Sequence, residues 1–139
     1  MADRPGQSGL GQNLSGHDTP HLPTPAQIEA YGNGGFRFGS MSHRGSLLCF
    51  PDGMWAWPVT SMKDVTADTL AQVFARGEGL DVFLIGAGRD PAFLLPALRE
   101  MFHAHSISVD VMTTGAAVRT YNVLLAENRR AGAGLIAVE

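Results

Sequence analysis

One cysteine, Cys49, is all the thiol chemistry these 139 residues offer. A single cysteine excludes an intramolecular disulfide and a thiolate zinc cluster, and it fits a reducing compartment. Charge is scarce too. Ten basic against thirteen acidic residues leave a net charge of -3, so no basic field exists to hold nucleic acid. No apolar run approaches the ~20 residues of a transmembrane helix. The first residues carry neither the apolar core of a signal peptide nor the Arg/Ser-rich, acid-poor character of a transit peptide. The simplest expected address is the cytoplasm of a bacterium, including the periphery of its inner membrane. Motifs of catalysis are missing as well. Ser40, Ser42 and His43 lack a nucleophile elbow, and no two acids share a recognisable acid/base spacing.

What remains is a globular composition, 45% hydrophobic and 17% charged, at a single-domain length. Residues 1–25 read as a disordered tail rich in Gly, Ser, Pro, Asn and Gln, too poor in apolar area to offset ordering entropy. His17 and His21 lie four apart there, but solvated histidines are the plainer reading. Residues 26–139 then form one α/β domain. Phe36 and Phe38 alternate in a first strand. The runs Ser46–Phe50 and Met54–Trp57 flank Pro51-Asp52-Gly53, a turn with Pro setting φ and Gly taking positive φ. Alternation places Leu47 and Cys49 on one face and Leu48 and Phe50 on the other. Cys49 thereby reads as a small core hydrophobe.

The C-terminal two-thirds alternates helix and strand. A helix is predicted from Thr66 to about Arg76, stopped by Gly77. An unbroken apolar strand follows over Asp81–Ile85. The next helix is predicted from Asp90 as N-cap and Pro91 at the first position to about Phe102. A strand at Ile107–Met112, a helix from the Thr113-Thr114-Gly115 turn to Arg129, and a last strand at Leu135–Val138 behind a Gly132-Ala133-Gly134 break complete the chain. Strand-helix-strand order favours parallel pairing with right-handed crossovers. The expected fold is a single-domain three-layer α/β sandwich: a mixed central sheet, helices on both sides, and an extra N-terminal β-hairpin layer.

Candidate sites gather at two loops and one helix. Gly86-Ala87-Gly88 joins a strand to a helix, where amides can cradle a phosphate, but Pro91 occupies the third glycine position of the dinucleotide fingerprint. The Thr113-Thr114 turn stands at the same end of the next strand. Together they outline a cleft at the carboxyl edge of a parallel sheet, suited to a small or anionic ligand; a threonine spent on capping the helix is the structural alternative. On the helix, the 100° step buries Ala117, Val118, Tyr121, Leu124 and Leu125 and places Arg119 and Asn122 together on an adjoining arc with Gly115, Ala126 and Arg129. That arc reads either as a ligand or partner surface, or as a solvated face with Asn122 and Glu127 tying down neighbouring loops. His103 and His105 lack a third ligand and read as surface or capping residues. Neither a metal nor a cofactor is implied.

The helix carries T-x-x-A-x-R-T-Y-N-x-L-x-x-E-x-R, in the form of Thr114, Ala117, Arg119, Thr120, Tyr121, Asn122, Leu124, Glu127 and Arg129. With Gly86 and Gly88 and with Trp57 before Pro58, the stretch from Ile28 to Val138 resembles a small α/β family of mostly unassigned function. Its mitochondrial member is respiratory complex I assembly factor 3. The resemblance implies a three-layer fold, no established catalytic activity, and protein partners in the assembly of a membrane complex. On this reading Gly86, Gly88, Thr113, Thr114, Arg119, Asn122, Glu127 and Arg129 outline a partner surface, or else line the ligand cleft. Oligomeric state is left open.

Overall fold

A computed structural model describes residues 24–139. The expected tail, apart from its last two residues, and the His17/His21 pair lie outside the described residues. Eight strands and three α-helices follow in order: β1 (Ile28–Gly32), β2 (Gly35–Phe38), β3 (Met41–Arg44), β4 (Leu47–Phe50), β5 (Gly53–Ala56), α1 (Ala71–Arg76), β6 (Val82–Gly86), α2 (Pro96–Ala104), β7 (Ser108–Met112), α3 (Thr114–Ala126) and β8 (Ala131–Leu135).

The N-terminal strands make an antiparallel sheet, β1-β2-β3. Its first turn places Asn33 and Gly34 at φ of 52° and 78°, the paired positive values of a tight hairpin. The central sheet runs β5-β4-β8-β6-β7, with β4 antiparallel to both neighbours and β8, β6 and β7 mutually parallel. Between β4 and β5 the Pro51-Asp52 turn ends at Gly53 with φ of 150°, as the sequence led one to expect.

Alternation along β4 divides the core in two. Leu48 and Phe50 face a cluster with Trp55, Trp57, Val73, Phe83, Leu98 and Phe102, roofed by α1 and α2. Leu47 and Cys49 face Phe38, Met54, Leu84, Tyr121 and Leu135, under α3 and the three-stranded sheet. The three-layer sandwich is therefore present, its extra layer a full three-stranded sheet beside α3.

Three element boundaries differ from expectation. The α-helical part of α1 starts at Ala71, because Thr66 and Thr69 exchange side-chain and backbone bonds that compete with helix: the Thr66 amide donates to Thr69 Oγ1 (2.9 Å), and that hydroxyl donates to the Asp64 carbonyl (2.8 Å). Helix α2 starts at Pro96 rather than Pro91. A helix begun at Pro91 would carry Pro96 in its interior, where the missing N–H and the ring clash cost about 3 kcal/mol. Begun at Pro96, it has proline where the first-turn amide has no intrahelical partner anyway.

The Gly132-Ala133-Gly134 stretch is no break. It is the middle of β8, the central strand. Ala133 and Leu135 face the α3 side, and the glycines face the aromatic cluster. A Cβ on Gly134 would lie 2.6 Å from the Trp57 ring, and one on Gly132 3.0 Å from Phe83 and from the Cys49 carbonyl. Rings approach this strand closely because Gly132 and Gly134 carry no side chains on that face.

Candidate functional site

The two loops expected to border a cleft meet directly. Ala87 N–H donates to the Met112 carbonyl (2.7 Å), Thr114 N–H to the Gly88 carbonyl (2.9 Å), and Gly88 N–H to Thr114 Oγ1 (2.9 Å). The same Thr114 hydroxyl donates to the Ile136 carbonyl (2.7 Å), and Ile136 N–H returns to the Gly86 carbonyl (2.9 Å). Glycine at 86 suits this contact, since a Cβ there would sit 3.0 Å from the Thr114 Cα and 3.2 Å from the Ala117 Cβ, so the neighbouring helix would have to give way. Thr114 is fully buried. The amides of Ala87 and Gly88, which a phosphate would need, donate within the chain. Hydrogen bonds within the chain thus tie together the two loops, Gly86–Gly88 and Thr113–Thr114, expected to border a ligand cleft.

Thr113 caps α3, its hydroxyl accepting from Ala116 N–H (3.3 Å). Below it, Ala117, Val118 and Tyr121 are buried against β6 and β8. Tyr121 is wholly enclosed, and its hydroxyl lies toward the Cys49 thiol. Burial pushes the pKa of both groups up, so Cys49 stays a neutral thiol inside the core.

Arg119 and Asn122, expected together, part company. Asn122 turns to β1: its Oδ1 accepts from Ile28 N–H (2.8 Å) and its Nδ2 donates to the Ile28 carbonyl (2.9 Å). One amide side chain thus supplies what a neighbouring strand would, and closes the edge of β1. Arg119 is exposed, in line with Gly115, Val123 and Glu127 at helical steps of four. Glu127 and Arg129 are exposed beyond the last turn. Tyr31 lies over Gly115, where a Cβ would collide with the phenol, and remains 43% exposed. It also borders a surface groove of about 360 Å³ with Arg37 and Arg44. The outward surface of α3 is therefore Tyr31, Arg119 and Val123, with Glu127 at its far end.

Sequence reasoning missed Tyr31 and Val123, because their exposure depends on where β1 docks. It also missed Phe93 and Leu95, which are 96% and 66% exposed on the loop before α2. The pair of prolines at 91 and 96, each able to open the helix, was the available signal. Away from this region, His105 Nδ1 bonds the Met101 carbonyl (2.8 Å) and its ring stacks on Phe74, a helix-capping role. His43 Nε2 lies 2.9 Å from the Ser46 carbonyl. Among the described residues no three His, Cys, Asp or Glu side chains converge as a metal site.

Comparison with known proteins places this arrangement. A family model described as "Protein of unknown function (DUF498/DUF598)" matches residues 28–136. A solved structure from Bartonella henselae, described as an outer membrane protein, superposes with a TM-score of 0.82 at 47% identity, covering 86% of this chain and all of that one. An uncharacterized protein of Rhodobacter capsulatus is 37% identical over 109 residues, 78% of this chain and 82% of its own. NADH dehydrogenase [ubiquinone] 1 alpha subcomplex assembly factor 3 of Drosophila melanogaster is 31% identical over 112 residues, 78% of this chain. The match spans only 57% of that assembly factor's length. No helix of the described residues is long and apolar enough to cross a membrane.

Proposed function

Because the chain belongs to the DUF498/DUF598 family of proteins of unknown function, with assembly factor 3 among its distant relatives, we propose that it is a non-catalytic protein-binding factor assisting assembly of a respiratory, complex I-type membrane complex. It works at the cytoplasmic periphery of the inner membrane. The observation that supports this reading is the exposed Tyr31–Arg119–Val123 surface on a helix whose other polar side chains, Thr113, Thr114 and Asn122, are engaged within the fold. Tyr and Arg are the residue types that dominate binding energy at protein interfaces. With Arg119 beside Tyr31, the matching partner surface is apolar at its centre and carries an acidic group opposite the guanidinium. Gly86, Gly88, Thr113, Thr114 and Asn122 hold the helix in place; Arg119, Glu127 and Arg129 make contact.

The test is complementation of a deletion strain, read by native gel for the assembled NADH dehydrogenase and by capture of its subunits on the tagged chain. Arg119→Ala combined with Tyr31→Ala is expected to lower subunit capture about tenfold or more while changing stability by no more than about 1 kcal/mol, the scale of two surface changes. Unchanged assembly in the deletion strain, or capture indifferent to both substitutions, would refute the proposal.

A further inference from the structure

Between β6 and α2 the chain presents an apolar tip. Pro91, Phe93, Leu95, Pro96 and Ala97 are all exposed, Phe93 almost completely, around the single buried anchor Leu94. Water covers a Phe and a Leu that could have folded inward, at a loop pinned rigidly at its root by the Gly88–Thr114 bonds. From this geometry we infer that the tip is a membrane-contact element, in which Phe93 and Leu95 insert shallowly into the interfacial layer of a lipid bilayer.

Shape and size favour lipid over a protein pocket. The two side chains offer roughly 300 Å², whereas a stable protein interface takes ~800 Å² per partner. A convex tip with little surrounding area suits a fluid phase that closes around it. Backbone chemistry sets the depth. Pro91 and Pro96 carry no N–H, which removes two donors that lipid could not satisfy. The amides of Arg89, Asp90, Ala92, Phe93, Leu94 and Leu95 donate no hydrogen bond among the described residues and need water, which holds the tip at headgroup level. Charge is balanced at the base: Arg89 and Arg99 are matched by Asp90 and Glu100, all exposed. Attraction is therefore apolar, weak and reversible, as befits a factor that visits a membrane complex during assembly. The tip gives physical content to the membrane-peripheral location, yet it uses none of the Tyr31–Arg119 surface. The two can fail separately.

The experiment uses the full chain with vesicles of phosphatidylcholine and of phosphatidylethanolamine with phosphatidylglycerol. Trp55 and Trp57 are buried, so Phe93→Trp adds a tryptophan at the tip whose emission is expected to shift to the blue and be quenched by brominated acyl chains. Phe93→Asp with Leu95→Asp is expected to lower co-sedimentation at least tenfold without a change in melting temperature. Raising salt from 0.05 to 0.5 M is expected to change binding less than threefold. Absence of quenching on every vesicle overturns the inference. Binding that needs phosphatidylglycerol and disappears with salt also overturns it, and moves the contact to the arginine surface. Phe93→benzoylphenylalanine in native cells separates the remaining alternative: photocrosslinking to lipid supports the tip, and crosslinking to a protein instead replaces it with a protein pocket.

Discussion

Two neighbouring stretches, Gly86–Gly88 with Thr114 and Pro91–Pro96 with Phe93, leave the sheet at the same edge and behave oppositely. In the first, polar groups are buried and each finds a partner: one hydroxyl serves Gly88 and Ile136 at once. In the second, apolar groups stand in water. The stretch that resembles a ligand loop in sequence is structural, and the one that resembles a helix start is the unusual surface. Unspent chemistry, polar or apolar, is the better mark of a contact site.

The contrast breaks most easily at Thr114. Thr114→Val keeps the shape and leaves the buried Gly88 amide and Ile136 carbonyl unpartnered, an expected loss of about 3 kcal/mol in urea denaturation. A loss under about 1 kcal/mol would mean the junction is not the tie described here. Asn122→Ala comes next, at roughly 2 kcal/mol, with faster amide exchange expected at Ile28; unchanged exchange there would show that β1 holds its edge without the side chain.

Polar groups that are satisfied but exposed sharpen the comparison. Arg76 grips Asp52 with two bonds of 3.0 Å and lies over the Phe50 ring at 3.8 Å, clamping the β4–β5 turn to α1. The guanidinium holds the Asp52 carboxyl below its ordinary range. A depressed folded-state pKa means the contribution is present above the unfolded value near 3.8 and is lost as pH falls through the lower folded one. With the Asp52 side chain 62% exposed, the term is expected to be at most ~1 kcal/mol. Comparing Asp52→Asn with the parent chain at pH 7 and below pH 4 measures it: the difference should shrink in acid. Phe93→Ser closes the series with a stability change within about 0.5 kcal/mol, because nothing in the fold packs on that ring. A large loss would show the tip to be part of the core.

Much of this was legible in the sequence because it is local. The Pro51-Asp52-Gly53 turn, the alternation that sends Leu47 and Leu48 to opposite faces, the Gly77 stop and the threonine cap on α3 each rest on a few adjacent residues. The motif of α3 carried the family with it. Reading Arg119 and Asn122 as one arc went too far, since three residues of helix separate them by 60° on the helical wheel. That angle is enough to aim one at β1 and the other at solvent.

By itself, the sequence determined the strand-helix alternation and the three layers, which follow from periodicity and short-range turn chemistry, and the family, which rests on the resemblance carried by the α3 motif. Tertiary structure alone decided that Gly132 and Gly134 form the central strand, that Thr114 ties Gly88 to Ile136, and that Tyr31 joins Arg119 on the surface. The reason is physical. A glycine is a break or a strand according to whether aromatic rings lie over it, and a hydroxyl is a ligand or a tie according to which carbonyl arrives from twenty-two residues away.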